Sequence, residues 1–244
     1  MTVPVAVQWQ CPPRTILVGV DFGEASARAL AIARVIASAF QARLRTLHAE
    51  RFEPPPYFTI EQLTRLEEER RATQAASAQN LVRFAGGSAY PIETVVADQP
   101  PVEALLDEAR GADLIAVGTH GRRGPGRWWL GSVAERVVRA AAVPVLVTHA
   151  SDAPPREAFE RVTLLRDGDR EDDGVRGCAA RLAALGGGAL VEGGPISRCG
   201  SDLLARASLV VLPMPGERPS WTLRDPVARV LGSCERPVLF IPSV

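Results

Sequence analysis

Residues 114–148 read LIAVGTHGRRGPGRWWLGSVAERVVRAAAVPVLVT. The segment opens with a short apolar run, passes through a glycine-rich loop into an amphipathic pattern, and closes with a second apolar run. We predict strands over residues 114–117 and 144–148 and a helix over residues 133–142, because short apolar runs that flank one helical pattern are typical of a parallel crossover. This stretch therefore predicts an α/β fold with a mostly parallel sheet.

The same alternation runs through the residues that precede this segment. Strands are predicted over residues 15–20, 44–49 and 92–97, and helices over residues 24–41, 60–84 and 102–110. Helices cover both faces of such an open, Rossmann-like sheet, and ligands bind beyond the carboxyl ends of its strands. Asp21 and Gly118 both fall at predicted strand ends.

The last ninety residues repeat this organisation in shortened form. Leu209–Leu212 corresponds to Leu114–Val117, and residues 237–241 correspond to residues 144–148. The predicted strands are 162–166, 189–192, 209–212 and 237–241, and the predicted helices are 174–185, 201–207 and 226–234. The counterparts of the second strand and of the long helix are missing, so the second half is expected to be a trimmed copy.

The chain therefore divides into two tandem α/β domains, each with its own open sheet. We expect an N-terminal extension over residues 1–13, a first domain over residues 14–150, a linker over residues 151–156 and a second domain over residues 157–244. The linker assignment rests on the Ser-Asp-Ala-Pro-Pro run at its start, since prolines interrupt regular structure.

Composition excludes several classes of protein. The chain has 244 residues, 28 Lys and Arg and 28 Asp and Glu, so its net charge of zero favours neither nucleic acid nor an anionic membrane as a partner. No apolar run approaches the ~20 residues that a membrane helix needs. Residues 1–10 lack a basic start and a long apolar stretch, so the sequence predicts a cytoplasmic protein.

Metal ligands are not arranged in a recognisable motif. The cysteines form no C-x-x-C pair and are expected to be reduced and mostly buried; they are Cys11, Cys178, Cys199 and Cys234. The chain has three histidines and no H-E-x-x-H, which argues against zinc. The acidic run over residues 167–174 is similar to a calcium loop, but the aspartate and cysteine at its sixth and twelfth positions favour a solvated turn.

The motif with chemical content is Gly118-Thr119-His120-Gly121, followed by nine residues and then Gly131-Ser132. Glycines there are expected to turn with positive φ and to let the backbone approach a ligand without a Cβ. Ser132 is predicted to cap the helix that begins at Val133, where unpaired N–H groups and the helix dipole attract anions. Two such corners joined by one loop predict a polyphosphate site.

This combined pattern resembles the nucleotide-binding motif of the universal stress protein family. Residues 118–124 and 130–137 are similar to family sequence almost residue for residue, and residues 143–147 match the characteristic ending of the family. Residues 18–21, followed by Ser26, resemble the first strand and turn. The resemblance is strong over residues 14–150 and weak over residues 156–244, and it implies an adenine-nucleotide α-hydrolase-like fold.

The resemblance also implies a ligand and a set of site residues. The ligand would be ATP, usually with Mg²⁺, and ADP and AMP are alternatives. Asp21 would bond the ribose or the adenine edge, Ala49 would offer its backbone to adenine, and the glycines, Ser132 and Val133 would hold phosphates. The implied site is Val20, Asp21, Ala49, Val117, Gly118, His120, Gly121, Arg122, Gly131, Ser132 and Val133.

Several of these residues have a plainer interpretation. The arginines of the loop, which are Arg122, Arg123 and Arg127, are also explained as solvated loop charges. A strand-end aspartate such as Asp21 often only caps the next helix. Trp128 and Trp129 could cover a nucleotide or pack against their own domain, and the sequence leaves both open.

The second half is predicted to bind no nucleotide. Pro213 stands where Gly118 stands, and Arg224-Asp225 replaces Gly131-Ser132, so a carboxylate would occupy the place of a phosphate. Family resemblance implies instead that the two domains pair through their last strands, within one chain. Whether whole chains associate further, for example as homodimers, stays open.

Three functions remain. The first is a non-enzymatic ATP-binding stress or signalling protein, the second a slow ATPase or adenylyl-type hydrolase on the same scaffold, and the third a nucleotide-free dimerisation scaffold. The sequence has no G-x-x-x-x-G-K-[ST] loop and no G-x-S-x-G elbow. His120 has no evident carboxylate to orient it as a base, so binding without turnover is favoured.

Overall fold

The structure is a computed structural model that describes residues 9–51, 60–86, 90–119, 131–151, 153–168, 172–214, 227 and 234–242. Its strands are β1 (Thr15–Gly19), β2 (Arg43–Ala49), β3 (Ile92–Ala97), β4 (Leu114–Gly118), β5 (Val145–Thr148), β6 (Arg161–Arg166), β7 (Ala189–Pro195), β8 (Leu209–Met214) and β9 (Val238–Pro242). Its helices are α1 (Glu24–Phe40), α2 (Ile60–Ala85), α3 (Pro101–Glu108), α4 (Ser132–Ala140), α5 (Asp173–Leu185) and α6 (Ser201–Arg206).

The predicted alternation of strands and helices is confirmed along the described chain. Most ends agree within one or two residues, although β7 runs on to Pro195 and the helix predicted to reach residue 110 closes with a 3₁₀ turn over Ala109–Gly111. The helix predicted over residues 226–234 falls almost wholly outside the described residues. Apolar periodicity therefore located the elements, while their last turns depended on local hydrogen bonding.

The described strands form one nine-stranded sheet in the order β3-β2-β1-β4-β5-β9-β8-β6-β7. Every neighbouring pair is parallel except β5 and β9, which are antiparallel, with Leu146 opposite Leu239 and Val147 opposite Val238. The two tandem sheets expected from the sequence are thus continuous with each other. Because β5 and β9 are paired, neither exposes unpaired backbone groups to other chains.

The two halves of the sheet share a register. Ile16 lies opposite Leu114 between β1 and β4, and Val162 lies opposite Leu209 between β6 and β8. Counting from these pairs places Pro213 at the position of Gly118. The strand β7 pairs with β6 as β2 pairs with β1. The second half, in its described residues, therefore has a strand at the place of β2 and none at the place of β3. The prediction that the counterpart of the second strand is missing is wrong in this respect, because β7 pairs directly with β6.

Apolar side chains pack on both faces of the sheet and continue across the β5–β9 junction. Val147 and Phe240 lie in the cluster on one face, and Leu146 and Leu239 lie in the cluster on the other. All four side chains are buried. Full burial of one such side chain stabilises a fold by ~1.5–3 kcal/mol, so the junction is a part of the core.

Helix α1 contacts the linker through a buried arginine. Arg28 is buried, and its guanidinium donates to the carbonyl of Ala153. Desolvation lowers the pKa of Arg28, while the nearby charge of Glu157 acts in the opposite direction. Arg34 donates to the carbonyl of Ala85 at 2.6 Å. Neighbouring segments therefore cover the polar side of α1.

The cysteines also correct a prediction. Cys11 in the N-terminal extension and Cys178 in α5 form a disulfide, with 5.6 Å between their Cα atoms. Their separation of 167 residues explains why spacing alone did not pair them. Cys199 and Cys234 are free thiols, as expected. The disulfide ties the start of the first half to a helix of the second.

Candidate functional site

The carboxyl end of β1 opens into a turn built by Asp21. The Oδ1 atom of Asp21 accepts the backbone N–H of Gly23 at 3.0 Å, immediately before α1 begins. The backbone of Val20 donates to the carbonyl of Leu47 at 2.8 Å, which holds this turn against β2. Asp21 therefore has the structural role of shaping the turn, and its exposed carboxylate stays at the rim of a cleft.

That cleft has a volume of about 140 Å³ and lies beyond the carboxyl ends of β1, β2 and β4. The structure brings six of the predicted site residues together in its wall, namely Val20, Asp21, Ala49, Val117, Gly118 and Val133. This position is the switch in strand order, where the chain leaves β1 for β2 on one side and reaches β4 on the other. Open α/β sheets bind their ligands at this place.

Helical residues outside the predicted site set complete the wall. Pro101 and Leu105 of α3 and Ser26 of α1 line the cleft. Leu105 is buried, and the side chain of Ser26 donates to the carbonyl of Gly23 at 2.9 Å. Pro101 and Leu105 therefore add apolar surface on the α3 side of the wall, which suits a flat hydrophobic ligand.

Gly118 is needed for a reason other than the predicted one. A Cβ at this position would lie 2.4 Å from the backbone carbon of Ala25, in the first turn of α1. Neither Gly118 nor Gly131 has a positive φ; Gly131 is extended, with φ −61° and ψ 157°. The prediction of left-handed glycines is wrong at these two positions, since Gly118 is required by the close approach of α1.

Thr119 joins the two ends of the loop that follows β4. Its buried hydroxyl oxygen accepts the backbone N–H of Gly131 at 2.7 Å, and its own N–H donates to the carbonyl of Thr148 at 2.8 Å. These bonds place the start of α4 directly beside the end of β4. The motif contains this threonine, but its spacing does not reveal which side chain closes the loop.

Helix α4 begins at Ser132, and Gly131 is its N-cap residue, without a side-chain capping bond. Ser132 is thus the first helical residue, and its predicted capping role is wrong. The first intrahelical bond is donated by Glu135 to Gly131 at 2.9 Å, so the N–H groups of Ser132, Val133 and Ala134 precede it. Such N–H groups and the positive end of the helix dipole form an anion-binding surface.

The rest of the predicted loop lies outside the described residues. This applies to the predicted phosphate-side residues His120, Gly121 and Arg122, and to Arg123, Arg127, Trp128 and Trp129. Their roles stay predictions.

An aromatic pair that sequence analysis missed stands beside the cleft. His48 lines the cleft, and its Nδ1 atom lies 2.8 Å from the carbonyl oxygen of Val20. The ring of Phe22 packs on His48 with 4.4 Å between ring centroids, and Phe84 of α2 contacts Phe22 edge-on at 5.7 Å. The sequence signal that could have identified His48 was its position at a strand end, one residue before Ala49.

The corresponding place in the second half is filled by side chains. The register assigns Leu165 to the position of Gly19, and Leu165 is fully buried. A Cβ on Gly193 would lie 2.5 Å from Leu165 and 2.9 Å from Leu203, so both leucines crowd this end of the sheet. Pro213 takes the place of Gly118, whereas Arg224 and Asp225 lie outside the described residues.

Metal-ligand clusters and membrane-spanning helices are both absent from the described part of the chain. No group of three or more His, Cys, Asp or Glu side chains in this part of the chain is placed to hold a metal ion. Among the helices that the structure describes, none has the length and apolar character needed to cross a bilayer.

Comparison with known proteins identifies the family. The Universal stress protein family matches residues 13–149, which is more than half of the chain. The chain belongs to the universal stress protein family. A universal stress protein from Thermus aquaticus is 36% identical over 137 residues, covering 55% of this chain and 97% of that protein. One from Mycobacterium tuberculosis is 35% identical over 141 residues, covering 56% of this chain and 45% of its own length.

Solved structures extend the likeness of this universal stress protein to the second half. A protein of unknown function from Pseudomonas aeruginosa has a TM-score of 0.65 at 18% identity, covering 95% of this chain and 93% of its own. A universal stress protein from Archaeoglobus fulgidus has a TM-score of 0.62 at 15% identity, covering 93% and 96%. At these identities the likeness shows a shared fold over nearly the whole chain.

Proposed function

We propose that this universal stress protein binds ATP in the cleft of its first half and acts as a nucleotide-dependent regulatory protein. The observation that carries the proposal is the meeting of the cleft with the start of α4, which the bond from Gly131 to Thr119 holds beside β4. An apolar wall and an anion-binding helix end then face one ligand. A nucleotide combines an aromatic base with phosphates in the same way.

The orientation of the nucleotide follows from this arrangement. The base lies against α3 and the backbone of Ala49, the ribose lies near the carboxylate of Asp21, and the phosphates reach the N–H groups of α4. Mg²⁺ would accompany the triphosphate, and ADP and AMP would occupy the same cleft with fewer phosphate contacts. His120, Gly121 and Arg122 are proposed as further contacts on the phosphate side.

We favour binding over turnover because the titratable side chains of the described cleft wall already bond to the backbone. Asp21 accepts the N–H of Gly23, and His48 hydrogen-bonds to the carbonyl of Val20, so both side chains stabilise the turn after β1. The competing proposal is slow ATP hydrolysis with His120 as the base. Turnover measured for the wild type, His120→Ala and Ser132→Ala decides between them, since activity lost with His120 alone would favour the enzyme.

The second half is proposed as a nucleotide-free partner of the first. Leu165 fills the position of Gly19, and β9 pairs with β5, so this half covers the edge of the first sheet. We also propose that the protein lies in the cytoplasm, where a reducing environment would keep Cys11 and Cys178 as thiols although the fold places them close enough to pair. Trapping thiols in intact, unstressed cells tests that location, because a Cys11–Cys178 disulfide found in such cells would contradict it.

The binding proposal is first tested on purified protein. Protein is denatured and the released adenylates are identified, and calorimetry with ATP, ADP and AMP then ranks the ligands. Amide signals of residues 131–134 are expected to shift on ATP addition. Saturating ATP that leaves these signals unchanged would refute the proposal.

A charge change at α4 tests the phosphate side. Ser132→Asp places a carboxylate at the first residue of the helix, where it repels phosphates. Its interaction with the helix dipole stabilises the folded protein by ~0.3–1 kcal/mol. We expect ATP affinity to fall at least tenfold while the melting temperature is unchanged or slightly higher. Calorimetry and thermal unfolding measure the two quantities.

The matched control is Ser201→Asp, which places the same charge at the exposed first residue of α6. This helix does not line the cleft, so ATP affinity should stay at the wild-type value. Equal losses of affinity in both variants would show a general charge effect and would contradict the proposed phosphate position.

A further inference from the structure

The segment before β1 connects the first half of the protein with the second. The N–H groups of Arg14 and Thr15 both donate to the carboxylate of Asp113, at 2.8 and 2.9 Å, and fix the start of β1. We call residues 9–13, which precede this anchor, the strap. Within the strap, Cys11 is bonded to α5 by the disulfide. The strap therefore runs from a strand of the first half to a helix of the second.

The strap covers a small apolar cavity at the β5–β9 junction. This cavity has a volume of about 20 Å³ and lies between α1, α5 and the sheet. Strap residues form one side of it, and apolar side chains of the two halves form the other, namely Ile36, Leu146, Leu182 and Leu239. Release of the strap would expose these side chains to water, so the state of the strap determines how much apolar surface the junction presents.

Noncovalent contacts of the strap are weak at its outer end. Trp9 is half-buried against the start of α5, where a Cβ on Gly174 would lie 3.9 Å from the indole ring. The indole Nε1 is buried and has no hydrogen-bond partner among the described residues. An unpaired buried N–H group costs free energy, so it opposes the docking of this tryptophan. The disulfide therefore contributes much of what keeps the strap in place.

The two bonded cysteines differ in accessibility. Cys178 is buried on α5, whereas Cys11 is half-buried on the strap and can meet a small oxidant. Their Cα atoms are 5.6 Å apart, a separation typical of a disulfide. In the reducing compartment that we propose for this protein, disulfides are commonly transient and redox-sensing. A bond at this place can thus form and break with the redox state of the cell.

We propose that Cys11 and Cys178 are a redox switch that holds the strap against α5 in the oxidised protein and releases it in the reduced protein. The oxidant is a low-molecular-weight disulfide, such as oxidised glutathione. The Cys11 thiolate attacks one sulfur of this disulfide, its S–S bond breaks, and one glutathione thiolate leaves. The Cys178 thiolate then attacks the Cys11 sulfur, and the second glutathione thiolate leaves. The two leaving thiolates take up the two protons that the cysteines lose, so the cysteines are oxidised and glutathione is reduced.

This switch is separate from the proposed nucleotide site. The strap joins the amino end of β1, whereas the cleft lies beyond the carboxyl end of the same strand. Asp113 holds Arg14 and Thr15 whether or not the disulfide is formed, so release of the strap should end there. ATP affinity should be the same in both redox states, and the switch stands or falls independently of ATP binding.

Alkylation of the reduced, native protein is the decisive experiment. The full chain is treated with dithiothreitol, transferred to iodoacetamide at pH 8 and analysed by peptide mass spectrometry. Cys178 should react about tenfold faster than Cys234 or more, because release of the strap exposes Cys178 while burial raises the pKa of Cys234 to about 11. Cys234 is the internal control, since it is buried in the same structure and has no strap over it.

Thermal unfolding in the two redox states is the second measurement. Protein treated with oxidised glutathione should melt ~10 °C higher than reduced protein, because the disulfide closes a long loop in the unfolded chain. Cys11→Ala removes the bond and should abolish this difference. The matched control, Cys199→Ala, removes a free thiol and should keep it.

Three results would overturn the switch. One is a Cys178 thiol that reacts as slowly as Cys234 in the reduced protein, which would mean that the strap stays in place without the bond. Another is a disulfide that persists in the native protein under dithiothreitol, which would make it a permanent crosslink. The third is a reduced protein in which oxidised glutathione forms no bond between Cys11 and Cys178.

Discussion

At the scale of single residues, the free thiols show how burial changes chemistry within one protein. Cys234 is buried, and Cys199 is half-buried. Desolvation raises the pKa of the Cys234 thiol to about 11, from an ordinary value of 9.0. Because the thiolate is the reactive form, Cys234 should be inert at neutral pH.

Alkylation of the native protein tests this difference. Burial also raises the pKa of the half-buried Cys199 thiol. Iodoacetamide should therefore modify Cys199 slowly at pH 8 and faster as the pH rises, and leave Cys234 unmodified until the pH approaches 11, with peptide mass spectrometry as the measurement. Stability should also fall as the pH rises from about 9 towards 11, since the unfolded thiol loses its proton first and the unfolded state then binds fewer protons. Equal modification of both cysteines at pH 8 would contradict the burial of Cys234.

At the scale of elements, the cleft depends on how closely α1 approaches β4. The backbone of Ala25 lies where a Cβ on Gly118 would be, and the carbonyl of Ala25 accepts the buried hydroxyl of Thr148 at 3.0 Å. The start of α1 is therefore held against two strands at once. The glycine is a packing requirement, and the cleft wall results from that packing.

Substitution of this glycine should be costly. We expect Gly118→Ala to reduce the free energy of unfolding by ~1–3 kcal/mol, because the added Cβ overlaps backbone atoms that cannot rotate away. Urea denaturation measures the change. Gly111→Ala is the control, as a Cβ there has no atom within 4 Å, and it should change stability little. A tolerated Gly118→Ala would show that α1 does not lie so close.

At the scale of the whole molecule, the two halves share one sheet and one core. The β5–β9 pair joins the two parallel sets of strands, and the apolar clusters on both faces contain residues of both halves. The disulfide between Cys11 and Cys178 is a second connection. These contacts predict that the halves unfold together.

A substitution at the junction tests this coupling. Leu146→Ala should destabilise the protein by ~2–5 kcal/mol and keep a single unfolding transition, because the leucine is buried opposite Leu239. Circular dichroism and tryptophan fluorescence in urea should give the same midpoint. Val82→Ala, at an exposed position, should stay within ~0.5 kcal/mol of the wild type. Two separate transitions would mean that the halves are independent.

Much of the local structure and part of the site followed from the sequence. Apolar runs and helical periodicity located the elements because burial acts on short segments, and the strand ends then marked the places of Asp21 and Gly118. The family resemblance led to six residues that do line the cleft. Apolar runs, helical periodicity and family patterns can all be recognised within short stretches of sequence.

Contacts between distant segments were decided only by the tertiary structure. The sequence predicted reduced cysteines and left-handed glycines, but Cys11 meets Cys178 across 167 residues, and α1 crowds Gly118 from almost a hundred residues away. The pairing of Phe22 with His48 likewise requires β1 and β2 to be neighbours. Spacing along the chain carries no information about such approaches, because they depend on which strands lie side by side.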